Sequence, residues 1–298
     1  MNLSERKRPL PAKGMKLAVV AAILLTAGAL SACSHSVVGT KAQFQPDQPS
    51  GELYNKGLAY VNAGKMKEAV KQFDEVDRQH PYSEDARKAL IMSTFVSYRR
   101  GEYDDAISSG NRYLTLYPGT ADAAYAQYLI GQSYFNQIPD VTRDQQKTQR
   151  ALAAMQEVVQ RYPDSEYARD ADNKIRICQD NIAANEMEVG RYYLDRHNYV
   201  GAINRFKTVV SDYQTTAHVE EALARLVECY MALGITKEAQ NAAAVLGHNY
   251  PDSKWYKDSY ALLESGGLAP REDGGSWLSK AWNAVPKVGV PKMSFGSG

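Results

Sequence analysis

The sequence has no apolar stretch long enough to cross a bilayer as a helix. Its longest apolar run, "LAVVAAILLTAGAL", covers 14 positions, residues 17–30, whereas a spanning helix takes about 20. A basic start, "RKR" at 6–8, precedes the run, and small residues end it, which is typical of a secretory signal peptide. We therefore interpret residues 1–32 as a signal peptide. Met15 opens an equally good version, so translation can start at Met1 or at Met15.

The chain also lacks a strong charge of either sign. It carries 35 Lys and Arg against 34 Asp and Glu. Five of those basic residues and one acidic residue lie in the first 32 positions, which leaves 30 basic and 33 acidic residues, a net charge of −3. A chain of this charge is not expected to bind nucleic acid as its main partner.

Motifs of catalysis are missing. The segment "GLAYVNAGK" has six residues between Gly57 and Gly64, where a phosphate-binding loop needs four. No Gly-x-Ser-x-Gly elbow occurs. The histidines are dispersed, and none has zinc-binding spacing; they are His35, His80, His197, His218 and His248. The sequence therefore predicts a protein that is not an enzyme and that uses no metal and no cofactor.

Cysteine is scarce, with three residues in 298. Cys33 ends the quartet "LSAC", which resembles the bacterial lipobox, where signal peptidase II cuts before the cysteine and the new N-terminus is acylated. We predict that Cys33 is lipidated and that residues 33–48 form a flexible tether. Ser34 stands where an aspartate would signal inner-membrane retention, which points to the outer membrane. The alternative is an ordinary secreted protein cut after Ala32, with Cys33 incidental.

The other two cysteines, Cys178 and Cys229, fall on predicted helices of adjacent repeats. They could pair as a disulfide in an oxidising compartment. Burial as small apolar side chains is the favoured interpretation, because cysteines on helices meet disulfide geometry only by accident.

The sequence lacks the alternation of apolar and polar residues that is typical of β-strands. It contains an internal repeat instead. Three segments run Gly, then Ala five residues on, then Pro twelve residues later, and two further copies keep the alanine. The alanines are spaced 37, 45, 51 and 37 residues apart. In the fourth copy Gln214 stands at the proline position. The repeat positions are Gly64, Ala69, Pro81; Gly101, Ala106, Pro118; Ala151, Pro163; Ala202; and Gly234, Ala239, Pro251.

This pattern resembles the tetratricopeptide repeat, a helix-turn-helix unit of about 34 residues. The resemblance rests on small and aromatic residues such as Gly57 with Tyr60 on a first helix and Ala69 with Phe73 on a second. Proline would end each second helix, because it lacks the N–H and clashes with the preceding turn. The predicted fold is all-α: an α-solenoid of five tetratricopeptide-like helix-turn-helix repeats over residues 49–265.

Two stretches depart from the regular repeat. Between Pro163 and Ala202 lies a run, residues 165–196, with no proline and a single glycine, which predicts one extended helix opening the fourth repeat. The tail, residues 266–298, is rich in Gly, Pro and Lys and is predicted to be disordered, apart from a short amphipathic segment at "SWLSKAW".

Solenoids of this kind bind extended peptides on a concave surface formed by their first helices. The repeat register of the first three repeats predicts an aromatic trough with few charges there, and aromatic residues with an Arg are typical binding anchors. For any single position, packing between helices is an equal alternative. The candidates are Tyr54, Leu58, Asn62, Ile91, Phe95, Tyr98, Arg99, Tyr125, Tyr128, Gln132 and Phe135.

Lipobox, tether, repeats and extended helix together resemble the BamD family of outer-membrane assembly lipoproteins, over roughly residues 30–265 and most strongly over 189–234. The resemblance implies a non-catalytic component of the β-barrel assembly (BAM) complex, anchored to the outer membrane and facing the periplasm. Its partners would be BamA, other BAM lipoproteins and unfolded outer membrane proteins, whose C-terminal signal ends in an aromatic residue. Arg205 matches the family's BamA-contacting arginine; an exposed, solvated Arg is the alternative.

Two rival functions share the lipobox and the repeats. One is a pilot or scaffold lipoprotein for a pilus or secretion pore, which should lack the helix pair "YYLDRHNYVGAINR". The other is an adaptor for cell-wall enzymes.

Overall fold

The computed structural model describes residues 47–284; the predicted signal peptide, Cys33 and residues 285–298 lie outside that range. Within it there are twelve α-helices and no β-strand, so the predicted all-α class is confirmed. No helix of this part is long and apolar enough to cross a membrane. The helices are α1 Ser50–Asn62, α2 Met66–Gln79, α3 Glu84–Arg99, α4 Tyr103–Leu116, α5 Ala123–Phe135, α6 Gln146–Arg161, α7 Ala168–Asp195, α8 Tyr199–Asp212, α9 Val219–Ala232, α10 Thr236–Asn249, α11 Lys254–Ser265 and α12 Trp277–Ala284.

The first ten helices form five helix-turn-helix pairs, and each helix packs on the next along the chain. The second helices end just before the repeat prolines, as α2 does before Pro81 and α10 does before Pro251. Helix α8 ends at the same place in its repeat although Gln214 replaces the proline. Packing between the helices therefore sets that end where the proline is missing.

Two glycines let the helices of a pair approach closely. A Cβ on Gly57 would lie 2.4 Å from Cε1 of Phe73, and a Cβ on Gly190 would lie 2.4 Å from Cε1 of Phe206. Both phenylalanines are fully buried. Since real Cβ atoms do not approach a ring so closely, the glycine is what allows the phenylalanine to fill the interior of the pair.

The first two repeats and the last two repeats are related by a constant sequence offset. Helix α2 begins and ends 133 positions before α8, and α4 begins and ends 133 positions before α10. We call residues 50–135 the N-terminal module and residues 183–265 the C-terminal module. Each contains two repeats and one following helix, so a residue in one module has a counterpart 133 positions away in the other.

The chain between the two modules contains a long connection and an extended helix. Helix α7 has 28 residues, which confirms the extended helix predicted to open the fourth repeat. The long connection between α5 and α6 packs on it, since Nδ2 of Asn185 on α7 donates to the Val141 carbonyl at 2.6 Å.

The prediction of disorder from residue 266 excepted the segment "SWLSKAW", residues 276–282, and it is wrong for the other described residues, 266–275 and 283–284. Residues 266–284 fold back and end in α12, which packs on α8 and α10. Leu278 is fully buried there, and the backbone N–H of Arg271 donates to the Gln240 carbonyl at 3.2 Å. The helix coincides with the amphipathic segment "SWLSKAW", whose apolar side chains join the largest core cluster.

Cys178 and Cys229 are both buried and free, as the favoured interpretation predicted. Burial disfavours the thiolate and raises the pKa of Cys178 to about 11 and that of Cys229 to about 12. Both behave as small apolar core residues.

Candidate functional site: an aromatic ladder on the first helices

Five aromatic rings carried by or next to three helices meet on one side of the solenoid, and we call them the aromatic ladder: Phe95, Tyr125, Tyr128, Phe135 and Tyr167. Ring centroids lie 6.5 Å apart for Phe95 and Tyr125, and 5.2 Å apart for Tyr125 and Tyr167. Tyr128 also stacks on Tyr167, at 5.0 Å. All of these rings are partly exposed. Aromatic pairs at such distances are attractive beyond their area burial, so the ladder is a fixed surface.

Cations flank the ladder at both ends. The guanidinium carbon of Arg99, which is exposed, lies 5.8 Å from the Phe95 ring centroid. At the other end Nζ of Lys174 lies 5.8 Å from the Tyr128 centroid and 5.4 Å from that of Phe135. The arrangement combines ring faces with positive charge, which suits an aromatic ligand that carries a negative group.

A hydrogen-bond chain fixes the Tyr128 end. The Gln132 amide donates to the Tyr128 hydroxyl, which in turn donates to the carboxylate of Asp170. Lys174 pairs with the same carboxylate. Rotation of the Tyr128 side chain would break these hydrogen bonds, so the ring is held in position on the ladder.

The tyrosines of the ladder are neutral at physiological pH. Burial raises the pKa of Tyr125, and burial followed by the neighbouring Glu166 raises the pKa of Tyr167 to about 12. Burial raises the pKa of Asp170, but its hydrogen bonds with Lys174 and Tyr128 outweigh that effect, and the net pKa lies below the usual value. The ladder therefore presents neutral rings beside an ion pair.

The sequence reasoning missed Tyr167, Asp170 and Lys174. All three lie at or near the start of α7. The first helix of the fourth repeat faces the same side as the earlier first helices, so extending the repeat register to it would have identified these residues. The register could not be extended along the long helix, because the alanine spacing there is 51 residues.

Not every candidate for the trough lines it. Ile91 and Gln132 are each only 9% exposed and support the surface from beneath, which corrects their prediction as lining residues. Tyr54 and Leu58 pack on the core of the first repeat, with the Tyr54 ring 5.8 Å from that of Phe73.

The last two candidates are at least partly exposed. Asn62 is exposed at the end of α1. The hydroxyl of Tyr98 accepts a hydrogen bond from Nδ2 of Asn136 at 3.1 Å. The structure therefore brings together the candidates of repeats 2 and 3 and leaves those of repeat 1 mostly in the core.

Arg205 lies far along the chain, on α8. Its guanidinium is 3.2 Å from a carboxylate oxygen of Glu186 on α7, and its side chain is 43% exposed. It lines a shallow depression together with Tyr193 and Asn204. An arginine held by one acid while half open to solvent can still bind a second acidic group.

The helix pairs define an α-solenoid of the tetratricopeptide type, a class that uses the face formed by its first helices to bind other proteins. The sequence profile of the YfiO family, described as outer membrane lipoprotein, matches residues 46–246. The chain belongs to this family, whose curated members are called BamD.

Relatives support the assignment over most of the chain. The outer membrane protein assembly factor BamD of Caulobacter vibrioides is 44% identical over 85% of this chain and 83% of its own length. BamD of Rickettsia prowazekii is 40% identical over 73% of this chain and 86% of its own length. Among solved structures, a thermophilic TPR protein of Thermus thermophilus covers 72% of this chain and 98% of that one at 16% identity, with a TM-score of 0.32; this overlap says nothing about function.

Proposed function

We propose that the protein is a non-catalytic lipoprotein of the outer membrane β-barrel assembly complex. Cys33 would carry the lipid and hold the protein at the periplasmic face of the outer membrane. Acyl chains contribute about 0.8 kcal/mol per buried CH₂, and more than one chain gives stable anchoring. The repeats would then receive unfolded outer membrane proteins and pass them to BamA. Membership of the BamD family supports this role over the pilot-lipoprotein and cell-wall-adaptor alternatives.

The aromatic ladder is the proposed receptor for the C-terminal signal of unfolded outer membrane proteins. Such a signal ends in an aromatic residue with a free carboxylate. Its ring can stack on Tyr125 and Tyr167, whose ring centroids are 5.2 Å apart. Its carboxylate can reach Arg99, which is exposed and has no acidic partner within 4 Å among the described residues. The single observation that supports the proposal is this pairing of stacked rings with an available cation.

A peptide titration tests the receptor role. The probe is a fluorescent synthetic peptide of the last ten residues of an outer membrane barrel protein ending in Phe, added to the full mature chain in detergent. Tyr125→Ala should weaken binding about tenfold or more, as loss of an aromatic anchor does. Tyr82→Ala is the control, since Tyr82 is 79% exposed on the turn between α2 and α3, outside the ladder. Equal affinity of Tyr125→Ala and wild type would refute the receptor role.

Arg205 is the proposed contact with BamA. It would leave or share Glu186 and pair with an acidic group of the partner, a contact that depends on its charge. Arg205→Glu should lower co-purification of BamA from solubilised envelopes while the protein stays folded. Arg176→Glu is a matched control, because Arg176 is an exposed arginine of α7 that is also paired with one acid, Asp172. An unchanged yield of BamA with Arg205→Glu would reject the contact.

Depletion of the protein distinguishes the proposed role from its rivals. Loss of many unrelated β-barrel proteins from the outer membrane is the expected result. Loss of a single secretion pore, or an altered septal wall with normal barrel levels, would instead support a pilot lipoprotein or a cell-wall adaptor.

A further inference from the structure

The two modules have equivalent grooves between the second helices of successive repeats, but the grooves differ in charge. In the N-terminal module the groove is a cavity of about 550 Å³ between α2 and α4. Both acidic and basic side chains line it. They are Lys67, Lys71, Asp74, Arg100, Glu102, Asp105 and Arg112.

The corresponding positions of the C-terminal module, 133 residues later, carry only two charges. Nζ of Lys207 lies 4.3 Å from the ring centroid of Trp277 on α12. Glu238 accepts from the hydroxyl of Ser276, just before that helix, at 2.7 Å. The other five counterparts of the charged positions are Val200, Asn204, Leu233, Ile235 and Val245. The C-terminal groove is therefore mainly apolar, and its two charges are contacted from within the chain.

Helix α12 runs along this groove from one end to the other. Near the turn between α9 and α10, Nε1 of Trp277 donates to the Tyr230 hydroxyl at 3.1 Å. At the opposite end, Gln214, just after α8, donates to the Ala281 carbonyl at 3.1 Å. The groove beside the start of α12, at the turn, is where side chains remain uncovered.

Three aliphatic side chains stay exposed at this turn end, and we call them the apolar patch. Val200 is 62% exposed, Leu233 41% and Ile235 43%. Their counterparts in the N-terminal module all line one cavity, so the shared backbone brings the patch residues together as well. Single exposed apolar side chains are normal, whereas a contiguous group of them marks an interaction site.

The apolar patch is too small to hold a partner by itself, because a stable interface uses about 20 to 30 residues on each side. The neighbouring candidate contact is Arg205. Val200 and Asn204 lie one helical turn apart on α8 and share a face. Asn204 is exposed and lines the shallow depression of Arg205. A patch next to an arginine supplies the apolar part that protein interfaces combine with charged contacts.

We propose that the apolar patch is a second contact for the partner that binds Arg205. An aliphatic or aromatic side chain of that partner packs on Val200, Leu233 and Ile235, while an acidic group of the same partner pairs with Arg205. The inference rests on the proposed contact of Arg205 with BamA and adds the apolar part of that interface. It uses no residue of the aromatic ladder, so it does not depend on the receptor role.

Two substitutions of opposite charge test the patch in the full-length, lipidated protein. Val200→Lys and Ile235→Glu each introduce the residue that the N-terminal module carries at the same position, Lys67 or Glu102, so the backbone accommodates both. Each should lower the yield of BamA co-purified from solubilised envelopes by about tenfold or more, as expected for loss of a buried aliphatic contact. Changes in opposite directions would reveal a charge effect and overturn the apolar contact.

Ile177→Glu is the matched control for Ile235→Glu. Ile177 is an isoleucine of α7 with a similar exposure, 47%, and it lies outside the groove. This variant should leave the yield of BamA unchanged, and the thermal midpoint of each variant verifies folding. A photoreactive amino acid at Leu233 in the otherwise unchanged protein gives a second readout and should crosslink to BamA.

Comparison with Arg205→Glu separates failure of the inference from failure of the proposed function. Unchanged yields with both patch variants, together with a loss for Arg205→Glu, would overturn the patch and leave the BamA contact intact. A loss with the patch variants alone would overturn the shared interface, and unchanged yields throughout would reject both contacts. Crosslinks from Leu233 to phospholipid, to this chain or to a protein other than BamA would assign the patch to that occupant and also overturn the proposal.

Discussion

On the first helices of the N-terminal module, Leu58 and Phe95 face the inner side of the repeats. At the same positions of the C-terminal module, 133 residues later, stand Arg191 and Glu228. The first pair is partly buried in an apolar cluster that reaches the aromatic ladder. The second pair belongs to a network of ion pairs centred on Glu221. One backbone therefore carries an aromatic inner surface at one end and a charged one at the other.

What the modules share is the contact inside each helix pair. Gly57 with Phe73 and Gly190 with Phe206 have the same geometry, and a Cβ on either glycine would meet the ring at 2.4 Å. Residues that hold a pair together are thus repeated, whereas residues on the inner surface are free to differ. The comparison can be tested at several levels, from the shared interior to a single turn.

The largest effect is expected where the modules agree. Phe73→Ala and Phe206→Ala each empty a fully buried ring site and should each lower the free energy of unfolding by about 4 kcal/mol. Urea denaturation of both variants measures the two losses. A difference of more than about 1.5 kcal/mol between them would break the equivalence of the modules.

A smaller loss is expected in the charged network that only the C-terminal module has. Glu221 accepts from Nε and Nη2 of Arg191 at 2.9 and 2.7 Å. Glu221→Gln leaves Arg191 and Arg225 without their shared acid and should cost about 2 to 3 kcal/mol near neutral pH. Lys88→Met, at the counterpart position in the N-terminal module, should leave stability nearly unchanged, because Lys88 makes only a surface pair with Glu84.

The same network gives a pH dependence with a defined sign. The hydrogen bonds from Arg191 hold the pKa of Glu221 below its ordinary 4.5. The folded-state pKa lies below the unfolded one, so this stabilisation is complete above the unfolded value and is lost as the pH falls through the folded value. The stability gap between wild type and Glu221→Gln should therefore shrink on acidification below about pH 4.5. A constant gap down to about pH 3 would exclude the linkage.

An intermediate effect, confined to one module, is expected from α12. Trp277→Ala removes the ring that contacts Lys207 and Tyr230. Amide hydrogen exchange should then show opening of α10 that is easier by about 1 to 2 kcal/mol, with α2 and α4 unchanged. Equal loss of protection in both modules would mean that α12 stabilises the whole solenoid.

The smallest effect concerns one turn. The glycine at the turn of the first repeat, Gly64, has φ of 71°, and its counterpart His197 has φ of 57°. Since glycine adopts this left-handed conformation without a steric cost, His197→Gly should stabilise the protein by about 0.5 to 1 kcal/mol. Gly64→His should destabilise it by a similar amount, because a Cβ there meets nothing within 4 Å and only the backbone cost remains. Thermal denaturation of both variants shows whether the changes have opposite signs.

Much of the fold could be predicted from local signals. Prolines such as Pro81 and Pro251 mark the ends of second helices, and the proline-free stretch after Pro163 predicts the long helix α7. These features act within one or two turns of chain, where sequence and structure are directly coupled. Most of the site could be predicted for the same reason, since Phe95, Arg99, Tyr125, Tyr128 and Phe135 follow from the repeat register.

Long-range packing could not be predicted from the same signals. Residues 266–284 have a composition typical of disorder, yet side chains of α10 supply hydrogen-bond partners for them. Gln240 donates to a backbone carbonyl of this segment, and Glu238 accepts from Ser276. Gln214 is the clearest case. In the sequence it stands at the position where the other repeats have proline. In the structure its side-chain amide donates to the Ala281 carbonyl at 3.1 Å, 67 residues away. No local pattern records such a partner.

The sequence by itself determined the helix pairs, their spacing, the long helix and the family, because proline, glycine and apolar periodicity act over short distances along the chain. Only the tertiary structure decided which aromatic residues share a surface. It buried Ile91, kept Phe95 at the surface and brought Tyr167 and Lys174 to the ladder from the next repeat. Stacking and ion pairing depend on distances across helices, and those distances are fixed only when the repeats pack on one another.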